Sequence, residues 1–564
     1  MRDYIKFADM KYVRTDVEAL KAAYAALTEK AKNAKTAGAV IETVLAHEEL
    51  LRETETSSAL AMIRHTIDTR DEFYTAEVEF CDNAGPLIEE AVHEFMRALI
   101  ESEFRPALEK RFGSLWLDNA EMSLKCFSPE IIPELQEENK ITTAYADLLA
   151  SAEIEFDGKE LNISQMNVYR ESPDREIRRA SCEVTGRYYE SIGDKLDDYY
   201  DKLVKIRTEI ARKLGYDSFT PVAYLRRRRN CYGPVEVKAF RDQVKSDIVP
   251  LVCRLKELQS KRIGIDDMKF WDDLYSYPEG NPMPRGTAEE LLEAGRRMYT
   301  EMSPETAEFI DFMYRCELMD VMAKPGKQVG GYCTGIPSYQ APFIFSNFNG
   351  TSGDVDVLTH EAGHAFADYM NCGRELLENA QPTIEACEVH SMSMEFICWR
   401  WLELFYGEDA PKAKFRHLED ALVFLPYGCM VDEFQHVIYD KPQLTPAERH
   451  KVWSELETQY RPYLDYGDLP FYSQGRYWQR QAHIYELPFY YIDYCLAQTV
   501  ALMFWAETQC DFDSAWKRYM SFVSLGGTET FTELCRAAGL PTPFDEGSLL
   551  SAVKAAEKWI SDNK

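Results

Sequence analysis

The spacing of apolar residues along most of this chain is that of amphipathic helices. In residues 17–32 and 39–52, apolar side chains recur at intervals of three and four, and charged side chains fill the positions between them. Because a helical turn contains about 3.6 residues, this spacing gathers the apolar side chains on one face. The same pattern returns in residues 172–214 and 234–261, so the fold is predicted to be mainly α.

Two stretches interrupt the helical pattern. Asp157-Gly158 predicts a turn, and residues 266–285, which are rich in Pro, Gly, Tyr and Trp, predict a loop. The first break divides the chain into a predicted helical N-terminal lobe, residues 1–155, and a larger region, residues 156–564. The length of 564 residues also favours more than one domain, because a single core rarely grows so large.

The clearest β-strand signals predict a small sheet near residues 326–350. Gly330 to Cys333 and Pro342 to Phe348 predict two short strands, and Asn349-Gly350 predicts a turn after the second. This turn leads directly into the next helix. We therefore expect the sheet to lie beside that helix.

The helix that follows, which Ser352 or Asp354 can cap, carries the main chemical motif. The motif reads His360-Glu361-Ala362-Gly363-His364. Four helical steps return to within about 40° of the same face, so the two imidazoles converge as a tetrahedral zinc ion requires. Glu361 points about 100° away from His360, where it can act as general base toward a metal-bound water. The two small residues between them are expected to let metal and substrate approach closely.

A catalytic zinc ion also needs a third protein ligand and one open position. Pro382-Thr383 predicts the start of another helix, on which Glu385, Glu388 and Glu395 fall near one face. Each glutamate alone is typical of a solvated or salt-bridged helix face. The spacing does not decide whether Glu385 or Glu388 is the ligand.

A third element of interest covers residues 482–494. Pro488 suits the first turn of a helix, on which Tyr490 and Tyr494 would share a face, with His483 shortly before it. Hydrolysis of an amide builds negative charge on the carbonyl oxygen, and imidazole and phenol groups can donate hydrogen bonds to it. The alternative is an aromatic core helix, which is the commoner setting for tyrosines.

Composition limits the remaining possibilities. The net charge of −31 would repel a polyanion, so nucleic acid is not an expected partner. Residues 226–229, four consecutive arginines, are interpreted as a local salt-bridge face. Residues 1–21 lack the apolar segment of a secretory signal, and no run of about 18 apolar residues predicts a membrane span. Fourteen cysteines without Cys-x-x-Cys spacing suggest reduced thiols and a cytoplasmic protein.

The chain resembles the thimet oligopeptidase and oligoendopeptidase F family of zinc metallopeptidases, and is most similar to its bacterial members of the oligoendopeptidase F or Pz-peptidase type. The resemblance covers about residues 160–550, and residues 1–150 resemble the helical N-terminal part less specifically. Its pieces are Gly331-Tyr332-Cys333, Pro342-Phe343-Ile344, His360 to His364, Glu388-Val389-His390-Ser391, His483 to Tyr494, and Gly526-Gly527 through Pro543-Phe544-Asp545.

The resemblance implies a site with one zinc ion per chain, bound by His360, His364 and Glu388. It implies that Glu385 orients a ligand histidine, a role for which a carboxylate is suited because it fixes the imidazole tautomer. Residues 156–564 would then form the catalytic region.

The resemblance also implies where the oxyanion donors lie. They map onto His483 and onto tyrosines of the following helix, of which Tyr490 and Tyr494 are preferred. Tyr485 and Tyr491 remain alternative donors, because the spacing between histidine and tyrosines differs from that of the thimet branch.

The family's architecture is two helical lobes enclosing a deep channel, with a small sheet beside the active-site helix. By this resemblance, the strand Phe343 to Phe348 would be the sheet's edge and would pair with an extended oligopeptide. The expected substrate-binding residues are Gly331, Tyr332, Phe343, Ile344, Phe345 and Tyr491. A deep channel excludes folded proteins, so short peptides are the expected partners, and the oligomeric state stays open.

The predicted function is that of a zinc-dependent oligoendopeptidase, which hydrolyses internal bonds of short peptides. A carboxypeptidase is a close alternative, but it needs a cation for the peptide's C-terminus, for which Arg374 and Arg480 are the candidates. A peptide-binding scaffold with a degenerate peptidase fold is the non-enzymatic alternative. The complete set of metal ligands, base and oxyanion donors argues against it.

Overall fold

The structure, a computed structural model, describes residues 4–328, 330–348 and 352–563. It is mainly helical with two small sheets, as the hydrophobic pattern predicts. The α-helices are α1 (Val17–Lys32), α2 (Ala37–Ile67), α3 (Glu72–Ile100), α4 (Arg105–Phe112), α5 (Leu115–Lys125), α6 (Ile132–Ala150), α7 (Ile163–Tyr169), α8 (Arg175–Lys213), α9 (Phe219–Arg226), α10 (Pro234–Gln243), α11 (Val249–Ile263), α12 (Ala288–Met302), α13 (Pro304–Arg315), α14 (Ser352–Asn371), α15 (Ile384–Ile397), α16 (Glu403–Tyr406), α17 (Ala410–Asp440), α18 (Pro446–Tyr460), α19 (Ala482–Glu486), α20 (Tyr491–Thr508), α21 (Phe512–Val523), α22 (Phe531–Ala537) and α23 (Ser548–Asp562).

The strands form one two-stranded and one three-stranded sheet. They are β1 (Ile154–Phe156), β2 (Lys159–Leu161), β3 (Met319–Met322), β4 (Tyr332–Ile336) and β5 (Ala341–Phe348). β1 and β2 form a hairpin around the predicted Asp157-Gly158 turn, where both residues have positive φ. The predicted turn at Asn349-Gly350 lies outside the described residues.

The chain forms two compact units, each built from three stretches of sequence. Unit 1 comprises Met1–Leu124, Met283–Pro411 and Val500–Thr542, and unit 2 comprises Lys125–Pro282, Lys412–Thr499 and Pro543–Lys564. Because both units are discontinuous, neither corresponds to a single half of the sequence. The linear division at residue 155 stays a prediction.

The N-terminal helices of unit 1 show how the sequence pattern becomes a core. The side chain of Asp16 accepts a hydrogen bond from the backbone of Ala19 and caps α1. Leu20 and Tyr24 of α1 then pack with apolar side chains of α2 and α3, among them Phe95. Each large apolar side chain buried in this way contributes about 1.5–3 kcal/mol.

In the three-stranded sheet of unit 1, the position of β5 differs from the prediction. β5 lies in the middle, parallel to β3 on one side and antiparallel to β4 on the other. The prediction that Phe343 to Phe348 forms the sheet's edge is therefore wrong. β3 was not predicted because four residues carry little periodicity, and without β3 the strand β5 has one free side.

The close contact of α14 with α15 gives Gly363 a different role from the expected one. A Cβ atom on Gly363 would lie 2.7 Å from Ser391 Cα and 2.9 Å from the carbonyl oxygen of His390. Real Cβ atoms do not approach so closely, so only glycine allows α14 and α15 to pack at this distance. Gly363 therefore makes room for α15, which brings α15 close to the helix that carries the motif.

Unit 2 contains several buried ion pairs. Arg207 donates to Glu138 at 2.6 Å and Arg229 donates to Asp493 at 2.7 Å, and both arginine side chains are 0% exposed. Arg226 also pairs with Glu138, at 3.1 Å. The interpretation of residues 226–229 as ion-pairing residues is thus confirmed for Arg226 and Arg229. The Arg229 pair is buried, and the side chain of Arg226 is 21% exposed.

The segment after His483 differs from its predicted form. α19 ends at Glu486, and α20 begins only at Tyr491, so Pro488 is not in the first turn of a helix. Phe489 has φ of 63°, in the left-handed region that interrupts a helix. Its backbone N–H donates to Gln435 Oε1 at 2.9 Å instead of to a helical carbonyl.

The remaining loop prediction agrees with the structure. Residues 266–285 hold only the short 3-10 helix Phe270–Asp272, and α12 then starts after the cap Thr287. Among the helices in the described part of the chain, none has both the length and the apolar character needed to cross a bilayer.

Candidate metal centre

The two histidines of α14 converge on one carboxylate of α15. Glu388 Oε2 lies 3.5 Å from His360 Nε2 and 3.6 Å from His364 Nε2. Two ligand atoms bound to one tetrahedral zinc ion are about 3.3 Å apart, since each lies about 2.0–2.1 Å from the metal. The structure thus brings the three predicted ligands together at the spacing that a shared ion requires.

Glu395, on the same helix as Glu388, orients His360. Its Oε1 atom lies 2.6 Å from His360 Nδ1. With the proton on Nδ1 donated to this carboxylate, the lone pair of Nε2 is directed to the metal position. The sequence placed Glu395 near the face of Glu385 and Glu388 without giving it a role.

Glu385 is the residue that was expected to orient a ligand histidine. It is 1% exposed, and its Oε1 atom accepts a hydrogen bond from Thr383 Oγ1 at 2.9 Å, at the start of α15. The histidine-orienting bond seen here comes from Glu395. The same role for Glu385 stays a prediction.

The charges at this centre suit a bound cation. Burial disfavours the ionised form of Glu388, yet hydrogen bonds to His360 and His364 hold its pKa below the ordinary value. Burial likewise disfavours protonated His360, yet Glu388 and Glu395 raise the pKa of that imidazole. Positive charge is therefore favoured between these groups, and two imidazole nitrogens with one carboxylate oxygen are a donor set that fits zinc.

Glu361 is partly buried beside His360 and His364. Burial raises the pKa of its carboxyl above the ordinary value, while His360 and His364 act in the opposite direction. A carboxylate with a raised pKa accepts a proton more readily, which is the property of a general base.

The predicted oxyanion donors form an aromatic cluster within unit 2. The ring centroid of His483 lies 5.6 Å from that of Tyr490, 4.9 Å from Tyr491 and 5.8 Å from Tyr494. The rings of Tyr490 and Tyr494 are 5.1 Å apart, even though Tyr490 precedes α20. Tyr485 is separate, since it is fully buried and its hydroxyl donates to the Leu196 carbonyl.

A glutamine fixes the tautomer of His483. Tyr427 donates to Gln481 Oε1 at 2.8 Å, which identifies the other end of the amide as the NH₂ group. This Nε2 group lies 2.8 Å from His483 Nδ1 and donates to it. The proton of a neutral imidazole is then on Nε2, which becomes a hydrogen-bond donor.

The expected peptide-binding residues of the sheet fall into two groups, one on its central strand and one at its edge strand. Phe343, Ile344 and Phe345 are 1%, 4% and 0% exposed on the central strand β5, so they belong to the core. A strand paired on both sides cannot hydrogen-bond a further backbone, and this placement corrects their expected role. Gly331 and Tyr332 lie at the start of β4, an edge strand that packs against α14.

Sequence comparisons match this chain to a known family of peptidases. Residues 7–127 match the Peptidase M3 N-terminal domain, and residues 168–552 match Peptidase family M3. The chain is 20% identical over 531 residues to an oligoendopeptidase F homolog of Borreliella burgdorferi, covering 86% of this chain and 85% of that protein. It is 24% identical over 303 residues to the chromosomal oligoendopeptidase F of Lactococcus lactis subsp. cremoris, covering 53% of this chain. That match spans about half, 47%, of the Lactococcus protein.

Solved structures give a closer likeness. Pz peptidase A, solved with an inhibitor, is 46% identical with a TM-score of 0.93 over 99% of both chains. A chain provisionally named oligoendopeptidase F is 47% identical with the same TM-score and coverage. The match to the family covers more than half of the chain and confirms the resemblance drawn from the motifs, so this chain belongs to Peptidase family M3.

Proposed function

We propose that this chain is a zinc-dependent oligoendopeptidase that hydrolyses internal bonds of short peptides. The observation that carries the proposal is the convergence of His360 Nε2 and His364 Nε2 on Glu388 Oε2, at 3.5 and 3.6 Å. One zinc ion held there would supply a Lewis acid for the peptide carbonyl and lower the pKa of water. Oligopeptides are the proposed substrates, because relatives named oligoendopeptidase F match over most of the chain.

Glu361 is the proposed general base. Its neighbour His360 is a proposed metal ligand, so the carboxylate lies beside the position of the attacking water. Glu361 takes a proton from that water and delivers it to the amine of the departing peptide fragment. Burial raises its pKa, which favours the protonated state that this proton transfer passes through.

His483 is the proposed donor to the oxyanion, together with Tyr490 and Tyr494. Gln481 keeps the proton of His483 on Nε2, so the imidazole can donate without becoming charged. Hydrogen bonds that strengthen as the carbonyl oxygen gains charge lower the barrier rather than only tightening binding. Tyr491 lies in the same ring cluster and is the proposed alternative to either tyrosine.

The edge strand β4, in place of β5, is the proposed docking strand for the substrate backbone. β5 pairs with only one side of β4, and the other side can accept an extended peptide by β-augmentation. A Cβ atom on Gly335 would lie 3.2 Å from Asp368 Oδ2 of α14, so β4 lies close against the helix of the motif. A peptide on this edge would run beside the proposed metal ligands.

Two arginines bear on the choice between endopeptidase and carboxypeptidase. Arg374 donates to Asn371 Oδ1 at 2.9 Å and to the Ser524 carbonyl at 2.6 Å. Arg480 lies over the ring of Tyr477 at 4.6 Å and also bonds its hydroxyl. Both guanidinium groups are engaged in structural contacts, which favours an endopeptidase. Equal cleavage of an amidated and a free-acid peptide would support this choice.

A cytoplasmic location is part of the proposal. The fourteen cysteines are present as thiols rather than as disulfides, as is usual in a reducing compartment.

The direct test of the mechanism is Glu361→Gln, assayed on an internally quenched peptide with zinc measured in parallel. We expect zinc to be retained and kcat to fall by about 10²–10⁴-fold, the usual contribution of a general base. Turnover close to that of the unmodified enzyme would disprove the role of Glu361.

A further inference from the structure

A second cluster of metal-ligating side chains lies within unit 1, outside the site described above. His47 and Glu48 are on α2, and Glu378 is on the short 3-10 helix Leu377–Asn379 that connects α14 to α15. One ligand atom from each of the three lies within 4.8 Å of the others. The cluster thus joins an N-terminal helix to the segment between the two helices of the metal centre.

The cluster lies mostly in the interior, since two of its three side chains are buried and the side chain of Glu378 is 30% exposed. His47 is 1% exposed and Glu48 is 4% exposed. Buried His47 Nε2 and Glu378 Oε2 make no hydrogen bond to any described residue. Since nearly all buried polar atoms in proteins are hydrogen-bonded, two such atoms in one cluster point to a ligand that satisfies both.

The imidazole ring of His47 is oriented in the way that is usual for a metal-binding histidine. Its Nδ1 atom lies 3.0 Å from the Tyr24 hydroxyl, which orients the ring and, when it accepts the Nδ1 proton, leaves the lone pair on Nε2. Nε2 lies 3.6 Å from Glu378 Oε1, the same separation as that between His364 and Glu388. The ring is therefore aimed at the carboxylate across a gap of the size that an ion fills.

Apart from His47, the two carboxylates have little compensating charge nearby. Glu48 Oε2 accepts the backbone N–H of Leu377 at 2.6 Å, which places Glu48 against the helix of Glu378. Arg52 Nη2 is 3.9 Å from Glu48 Oε2 and donates to the Arg374 carbonyl instead. The adjacent carboxylates of Glu48, which is buried, and Glu378, which is partly buried, repel each other unless a proton or a cation lies between them.

We propose that His47, Glu48 and Glu378 bind a second, structural divalent metal ion. One imidazole nitrogen and two carboxylate oxygens suit a first-row transition ion such as Zn²⁺ more than Ca²⁺, which prefers oxygen ligands alone. The ion ties α2 to the connection between α14 and α15. It does not depend on the proposed peptidase chemistry.

The test uses the full chain with the first site removed, His360→Ala/His364→Ala. After equilibration with micromolar Zn²⁺ and gel filtration, we expect mass spectrometry of the metal to give about one zinc per chain. Adding Glu378→Gln should reduce this to near zero, and adding Glu55→Gln, which changes an exposed glutamate of α2 outside the cluster, should leave it unchanged. A double variant that binds no zinc, or one that keeps its zinc after Glu378→Gln, overturns the proposal.

A second measurement covers the case in which the double variant does not fold. Apo protein with both sites intact is titrated with Zn²⁺, and we expect two ions per chain, against one ion for Glu378→Gln. Saturating zinc should also raise the melting temperature more in the unmodified protein than in Glu378→Gln. Binding of one ion by both proteins contradicts the second site.

Discussion

Replacing Glu395 by alanine removes the carboxylate that orients His360 and leaves all three proposed metal ligands unchanged in sequence. The bond joins Glu395 Oε1 and His360 Nδ1 at 2.6 Å, and the Glu395 side chain is only 19% exposed. Little water can replace the lost acceptor. The imidazole then loses both its fixed orientation and the carboxylate that increases its basicity.

The size of the effect follows from this single contact. Groups that orient a metal-bound histidine contribute about 10- to 100-fold in metal affinity or activity, which is about 1.4–2.7 kcal/mol. We therefore expect the zinc dissociation constant of Glu395→Ala to rise by about 10- to 100-fold. Glu395→Gln keeps an acceptor oxygen but loses the charge, so its effect should be intermediate.

The assay is competition for zinc with a chelator of known affinity, followed by kcat/KM on a quenched peptide at saturating zinc. Glu293→Gln is the matched control, since Glu293 is an exposed acid of unit 1 whose 3.8 Å pair with Arg296 lies outside the site. A zinc affinity of Glu395→Ala equal to that of the control would refute the role of Glu395. Zinc bound at the second proposed site must be excluded from this measurement. Making each variant in protein that also carries Glu378→Gln removes that zinc.

The other predictions concern helix packing, a buried ion pair and the oxyanion donor. Gly363→Ala forces a Cβ atom to within 2.7 Å of Ser391 Cα and should lower the free energy of unfolding by about 1–3 kcal/mol. Gly38→Ala, whose Cβ meets nothing within 4 Å, should change it by less than about 1 kcal/mol in the same urea titration. Glu138→Gln leaves Arg207 buried without its counter-charge and should cost about 3–5 kcal/mol. Burial opposes ionisation of Glu138, but its arginine partners lower its pKa below 4.5. The pair's contribution is therefore complete above that pH and lost as pH falls through the lowered pKa, so the difference from the unmodified protein should shrink in acid. His483→Ala should lower kcat by about 10²–10³-fold with zinc content unchanged, and a rise in KM with kcat unchanged would contradict a role in the transition state.

Much of the helical architecture could be predicted because the signals are local. The predicted helix over residues 17–32 has the observed bounds of α1, since its apolar stripe and its cap Asp16 lie next to each other in sequence. The motif on α14 was predictable for the same reason. A spacing of four residues fixes the relative direction of His360 and His364 on any helix.

Features that depend on distant partners were not predictable. The central position of β5 depends on β3, whose residue Met319 pairs with Ile344 across a long connection. Glu395 and Glu388 share a helix face, but only the packing of α14 on α15 determines which carboxylate reaches which nitrogen of His360. The family resemblance selected Glu388, and nothing local assigned a role to Glu395.

The interruption of the helix before α20 also depends on residues that are distant in sequence, so it was not predictable. Pro488 is compatible with a helix start, and the positive φ of Phe489 is rare for an aromatic residue. That conformation is maintained by contacts such as the hydrogen bond to Gln435, which is distant in sequence. Tyr490 therefore approaches Tyr494 from outside the helix rather than along one helix face.

The central claim is that His360, His364 and Glu388 together hold the catalytic metal. Anomalous diffraction at the zinc edge, from crystals of protein purified without chelator, tests it most directly. We expect a peak about 2.0–2.2 Å from His360 Nε2, His364 Nε2 and a Glu388 carboxylate oxygen, and its loss in His364→Ala. Zinc-containing, active crystals with no peak between these three side chains would show that the catalytic metal is bound elsewhere.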